Sequence, residues 1–267
     1  MREHQAYAAA LGWYLDQGVD EALLDAPIQR QAANAQPAVQ APLVAPILSA
    51  APGFVTLGRS DARAEAIKLA GATTTLDELK AAIAGFEGIA IKKTATNMVF
   101  ADGNPQAPVM LVGEAPGADE DRIGRPFVGA SGQLLDRILG WAGMDRTQTD
   151  PAKAIYISNI LNWRPPGNRT PSPAEIEVSL PFIERHIALI KPKILILCGA
   201  VAAQALLGRS ESISRLRRTW HTYTPQTGEA PIAAIATYHP AYLLRTPSQK
   251  KAVWQDMLAV MEKKDDM

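Results

Sequence analysis

Residues 109–129, VMLVGEAPGADEDRIGRPFVG, limit the possible folds more than any other stretch. Val109, Met110, Leu111 and Val112 are apolar at consecutive positions, so both faces of the segment must be covered, as in a central strand of a parallel sheet; Gly113 ends the run. A polar, glycine-punctuated loop follows at the strand's carboxyl end, the edge where open α/β sheets bind ligands. Glu114, Asp119, Glu120 and Asp121 therefore stand where a pocket forms, and carboxylates so crowded are solvated, paired or used. Ser131 is placed to cap a helix whose Leu134, Leu135, Ile138 and Leu139 share one face, and Gly143 is placed to stop it.

The same alternation recurs downstream. Strands are expected at 154–161, 193–200 and 231–239, separated by helices at 173–190, 200–208 and 247–264. Ser172, Pro173 and Glu175 supply a cap, a first-turn proline and a capping-box acid for the first of these helices, which Pro181 should break or kink. Thr75 caps a further helix beginning at Leu76. Ahead of the central strand, TATNMVFADGNPQAP suggests a short edge element. Residues 1–75 read as a helix over 5–26 followed by an Ala/Pro/Gln-rich linker, 29–52, and residues 76–267 as the folded domain.

Composition narrows the class. A chain of 267 residues, 47% hydrophobic, can bury a full core. It shows no apolar run of about 18 residues and no basic start leading into an apolar signal core, so the expectation is a cytoplasmic protein. The single cysteine, Cys198, lies in ILILCGA and reads as a small buried hydrophobe. Zero net charge conceals an uneven distribution: Arg209, Arg215, Arg217, Arg218, Arg245, Lys250 and Lys251 crowd residues 205–251 against only Glu211 and Glu229. A basic face late in the chain suits a polyanion, although such clusters are often mere solvated surface.

Several residues look like parts of a site. Gly113-Glu114, Ser158-Asn159 and Tyr238-His239 each end a strand, and in a parallel sheet they converge on one edge. Asn159, in an apolar strand, is either a core amide satisfied by backbone or a donor–acceptor pair able to read a planar amide edge such as a nucleobase. His239 opens HPAYLLR, in which Leu243 and Leu244 beside Arg245 form an apolar wedge with a cation, or else pack the last helix. Phe127 is a buried anchor or a ring on which a planar ligand stacks.

GEAPGADEDRIGRPFVG, ISNILNWRPPGNR and HPAYLLR resemble, in order and spacing, the motifs of the uracil-DNA glycosylase superfamily, closest to the bacterial and archaeal family-four enzymes. The resemblance spans roughly residues 80–262 and implies a three-layer α/β/α sandwich around a four-stranded parallel sheet. It also implies excision of uracil from DNA by hydrolysis of the N-glycosidic bond. Carried across, Glu114, Glu120 and His239 are the candidate catalytic residues, and Gly113, Ala115, Phe127 and Asn159 the candidate uracil-binding residues. Leu243, Leu244 and Arg245 match the loop that enters the duplex; Arg164, Asn168, Arg217 and Arg218 complete the candidate DNA-binding set. Glu114 and Glu120 compete for the task of positioning the water. The implied partners are uracil-containing DNA, single- or double-stranded, the abasic-site product and free uracil, with no membrane contact and a monomeric chain.

One departure is large. Family-four proteins ligate a [4Fe–4S] cluster through four cysteines, and the matching positions here are Phe86, Ile89, Trp163 and Ser179. Without thiolates those positions cannot hold the cluster, so no cofactor and no metal are expected and apolar packing should fill the space. A second reading, motivated by Ala115 where other branches can hold a carboxylate, is a non-hydrolytic binder of uracil-DNA or abasic DNA. A third, a metabolic nucleotide-binding enzyme, lacks both the Rossmann and the P-loop glycine spacing.

Overall fold

The computed structural model describes residues 61–225, 228 and 230–266; the helix expected over 5–26 and the linker 29–52 lie outside the described residues. Strands β1 (Asp102–Gly103), β2 (Val109–Gly113), β3 (Tyr156–Asn159), β4 (Ile194–Cys198), β5 (Trp220–Tyr223) and β6 (Ile232–Thr237) form one sheet in the spatial order β1-β3-β2-β4-β6-β5. The inner four, β3, β2, β4 and β6, are parallel. The outer two run antiparallel, β1 on β3 and β5 on β6. Strand β5 is an addition to the sequence reading: its Trp220, His221 and Thr222 are all partly or fully exposed, so it carries no apolar run.

The inner strands alternate with period two although every position but Ala233 of β6 is buried. Val109, Leu111, Ile194, Ile196, Cys198 and Ile235 belong to one core, and Met110, Val112, Leu195, Leu197, Ala234 and Ala236 to the other. The second core is covered by α1 (Asp61–Gly71) and α2 (Leu76–Gly85) together with the later helices α5 (Pro173–Ile190) and α6 (Ala200–Leu207). Helices α4 (Ala130–Trp141), α8 (Pro240–Arg245) and α9 (Lys250–Asp265) cover the first, giving three layers. Two short helices, α3 (Ala118–Ile123) and α7 (Ile213–Leu216), sit in the connections. Each fully buried Leu or Ile in these layers contributes about 1.5–3 kcal/mol relative to exposure. Ala66 and Ala70 of α1 are buried in the second core, and Arg63 pairs with Glu177 of α5 at 3.6 Å, so α1 belongs to the same compact unit.

Local signals act largely as read. Thr75 Oγ1 accepts from Glu78 N and Ser172 Oγ from Glu175 N, each within a reciprocal capping box. Helix α5 nevertheless runs unbroken through Pro181. Val178, Phe182, Ile183 and Ile187 are buried along it on both sides of the proline, and that burial outweighs a local cost of about 3 kcal/mol. Ser131 is not the cap of α4; Gly129 is, and its N–H donates to Glu120 Oε1 at 2.9 Å.

Candidate active site

The register of the parallel strands assembles the site. Gly113 pairs with Asn159 across β2 and β3, and the ladder continues past both: Ile160 N donates to Gly113 O at 2.9 Å and Leu161 N to Glu114 O at 3.1 Å. Glu114 is thereby delivered to the carboxyl edge. From β6 the chain passes through Tyr238 to His239, which caps α8 by accepting from Ala241 N through Nδ1 at 3.2 Å. Between these ends lies a cleft of about 490 Å³. Glu114, Ala115, Glu120, Phe127, Asn159 and His239 line it, with Asn168 and Arg245 at its margin.

Gly113, a candidate uracil-binding residue, does not line the cleft; it stands behind two residues that do, where no side chain fits. A Cβ there would stand 2.4 Å from Asn159 Oδ1 and 2.6 Å from Phe127 Cζ, distances that real Cβ atoms do not show. Asn159 is buried, and its Oδ1 has no hydrogen-bond partner among the described residues. A buried amide oxygen left without a donor costs about 1–3 kcal/mol, so Asn159, which lines the cleft, keeps hydrogen-bonding capacity unspent. The Phe127 ring stacks on the His239 ring at 5.4 Å between centroids and 29° between planes.

Electrostatics sort the titratable groups. Burial lowers the pKa of His239 to about 4, with Glu120 opposing that shift and Arg245 reinforcing it. The ring is therefore neutral near pH 7, and because Nδ1 accepts from Ala241 the proton resides on Nε2. Burial raises the pKa of Glu114 above the ordinary carboxylate range. Glu120 is committed differently. Its Oε1 accepts from Val128 N at 2.8 Å and Gly129 N at 2.9 Å, and its Oε2 from Gly117 N at 3.1 Å. It ties the loop around Phe127 to α3 and leaves Glu114 as the less encumbered carboxylate.

The DNA-side candidates divide. Arg245 and Leu244 are exposed, Leu244 at 47%, and Arg218 is exposed with a left-handed φ of 70°. Arg164 donates to Asn168 Oδ1 at 2.7 Å and so braces a residue of the cleft. Two candidates do not reach a surface. Leu243 is fully buried in the core with Val253 and Met257, the packing alternative for that residue. Arg217 is 6% exposed, and its Nε and Nη2 donate to Asp256 at 2.9–3.1 Å while its guanidinium lies 4.6 Å over the Tyr238 ring. Asp256 also accepts from Thr237 Oγ1 at 2.8 Å, so Arg217 joins α9 to the end of β6. A count of basic residues cannot separate such an internal cation from a surface one. Tyr242, Arg169 and Thr170 also line the cleft; they lie inside or next to the quoted motifs, and that proximity was the only signal for them.

Residues 100–258 match the model of the uracil DNA glycosylase superfamily, and the chain belongs to that superfamily. It is 35% identical over 186 residues to a type-4 uracil-DNA glycosylase of Pyrobaculum aerophilum, covering 68% of this chain and 91% of the relative. A type-4 enzyme of Archaeoglobus fulgidus is 34% identical over 192 residues (70% and 92%), and one of Sulfurisphaera tokodaii 33% identical over 193 residues (70% and 84%).

The residues at the four cluster positions do not fit an iron–sulfur cluster. Phe86 and Ile89 are buried in the core beneath α2 and α5, with Phe86 edge-on to Phe182 at 5.2 Å. Trp163 packs against that core under Lys92 Nζ, 5.9 Å from its ring centre, and Ser179 offers a buried hydroxyl. Cys198 belongs to the opposite core, where burial pushes its thiol pKa up. Iron–sulfur ligation needs thiolates, and these groups supply none.

Proposed function

We propose that this chain excises uracil from DNA, hydrolysing the N-glycosidic bond to leave an abasic site. The observation that carries this reading is Asn159, buried in the lining of the cleft with its Oδ1 unpartnered among the described residues. Uracil presents an N–H at N3 flanked by carbonyl oxygens at O4 and O2. Asn159 accepts from N3–H through Oδ1 and donates to O4 through Nδ2. Cytosine reverses both polarities at that edge, so the same amide rejects it. A base reaches this depth only when flipped out of the stack, and Phe127 offers the flipped ring a face.

Cleavage leaves negative charge on the departing base and positive charge on the sugar. His239, neutral with its proton on Nε2, donates to O2 as charge grows there; removal of such a donor typically costs about 2.7–4 kcal/mol in barrier. Glu114 orients the attacking water and offsets the sugar cation. Glu120 holds the loop that carries Phe127, which favours Glu114 for the water. Arg245 and Leu244 engage the strand beside the flipped nucleotide, Arg245 through phosphate. Single- and double-stranded uracil-DNA are both substrates of this scheme, and a single chain contains every group it uses.

Ala115 lines the cleft without a carboxylate, the observation behind the alternative of a binder that retains uracil-DNA uncut. A gel that resolves alkali-labile product from retained complex separates the two. Excision predicts product from the parent and a strong loss in Asn159→Asp, in which an acceptor oxygen replaces the amide donor facing O4. Retention without product, or full activity in Asn159→Asp, contradicts the reading.

A further inference from the structure

Phe127 holds an uncommon backbone conformation for a bulky residue, with φ at +53°. Left-handed φ at such a residue persists only where the surroundings over-determine it. Here the surroundings converge on one residue outside the cleft, Arg146, whose side chain is 6% exposed and uses every edge of its guanidinium. Nη2 donates to Phe127 O at 3.0 Å and Nη1 to Pro126 O at 2.8 Å, gripping the two carbonyls on either side of the strained residue. Nε and Nη2 donate to Asp136 Oδ1 on α4, at 2.9 and 2.6 Å, and Nη1 to Asp102 Oδ2 on β1 at 3.0 Å. Gly132 completes the seat, because a Cβ there would lie 1.9 Å from Phe127 O. On the other side of the residue the ring lies against Gly113 and stacks on His239.

We infer that Arg146 is a positioning residue for uracil excision: its fork, anchored by Asp136 and Asp102, holds the Pro126 and Phe127 carbonyls so that the Phe127 ring faces the flipped base. This rests on the excision reading. A guanidinium is needed because only a planar fork grips both carbonyls and Asp136 at once, and a lysine ammonium at this position serves one of them. Arg146 touches no substrate, so its effect must pass through Phe127.

The test measures single-turnover excision from a uracil-containing oligonucleotide by the parent, Arg146→Lys, Phe127→Ala and the double variant, with thermal unfolding and affinity for abasic-site DNA in parallel. Arg146→Lys is expected to lower the maximal rate by about tenfold or more with abasic-DNA affinity unchanged, since small misplacements near reacting groups cost that much. The double variant is expected to be no slower than Phe127→Ala alone, because the two residues act as one unit. Asp136→Asn, which weakens the grip without removing it, is expected to lie between parent and Arg146→Lys and serves if the lysine variant does not fold. Arg146→Lys and Asp136→Asn both excising like the parent, or losses that multiply in the double variant, overturn the inference. Failure of the parent to excise uracil instead overturns the functional reading beneath it.

Discussion

Gly113 and Asn159 face each other across the parallel β2–β3 pair, and the absence of a side chain on the glycine leaves room for the Asn159 amide oxygen and the Phe127 ring together. Gly113→Ala should therefore damage the site more than the fold. Asn159 Oδ1 and the Phe127 ring must both retreat from the new methyl group. Excision should fall by about 10²-fold, the scale of a small misplacement of positioning groups, while the unfolding midpoint moves little. Single-turnover kinetics beside thermal melts check this, and an unimpaired Gly113→Ala protein contradicts the packing described for the pocket.

His239 supplies a pH prediction whose sign follows from its burial. Its folded pKa of about 4 lies below the ordinary 6.5, so the folded state binds fewer protons than the unfolded chain between those values. Its contribution to stability is complete above pH 6.5 and is lost as pH falls through about 4. Excision through a neutral Nε2–H donor should not follow a histidine titration near pH 6.5. Its acid limb belongs to Glu114, whose raised pKa places it above the usual carboxylate value of 4.5, and Glu114→Gln should abolish both limb and rate. Nitrogen NMR of the His239 ring should show the neutral Nε2–H tautomer at neutral pH. A cationic ring there would remove this mechanism.

Arg217 and Arg245 should behave as different kinds of residue despite their similar sequence settings. Arg245→Ala should weaken duplex binding and lower the salt slope by roughly one charge. Arg217→Ala strands Asp256 inside the protein and should cost about 3–5 kcal/mol of stability, with any effect on DNA following from that. Likewise Leu244→Ala should affect binding and Leu243→Ala stability. Denaturant unfolding paired with salt titrations of binding decides both contrasts, and a changed salt slope for a folded Arg217→Ala protein would return Arg217 to the DNA face.

What the sequence disclosed depended on how locally each feature is encoded. The inner strands were legible because burial on both faces demands continuous apolar runs, as in Val109–Val112. The convergence of Glu114, Asn159 and His239 followed from parallel order alone, since each ends a strand at the same edge. Strand β5 was not legible because its exposed residues carry no such run. Arg217 and Leu243 stand among the DNA-side candidates yet point inward, because whether a cation or a leucine does so depends on Asp256 and on α9, which lie far along the chain. Arg146 gave no signal, since its partners Phe127, Asp136 and Asp102 come together only in the fold.

The cluster positions yield a composition test. The purified protein should be colourless, contain no stoichiometric iron and be indifferent to chelators in both stability and activity, because Phe86, Ile89, Trp163 and Ser179 offer no thiolate. Apolar burial does the stabilising there, so Phe86→Ala should cost about 3–5 kcal/mol, and the partly exposed Trp163 less. Metal analysis and denaturant unfolding check both halves; one iron–sulfur cluster per chain, or a Phe86→Ala protein as stable as its parent, contradicts the assignment of these positions.

The central claim is that the unpartnered Asn159 oxygen reads the N3–H of a flipped uracil that the enzyme then releases. Chromatography of the bases released from two otherwise identical single-stranded oligonucleotides, one carrying uracil and the other N3-methyluracil, tests it directly. The account predicts free uracil from the first and essentially no base from the second, because the methyl group removes the donor and collides with Oδ1. No uracil from the first, or equal release from both, would contradict it.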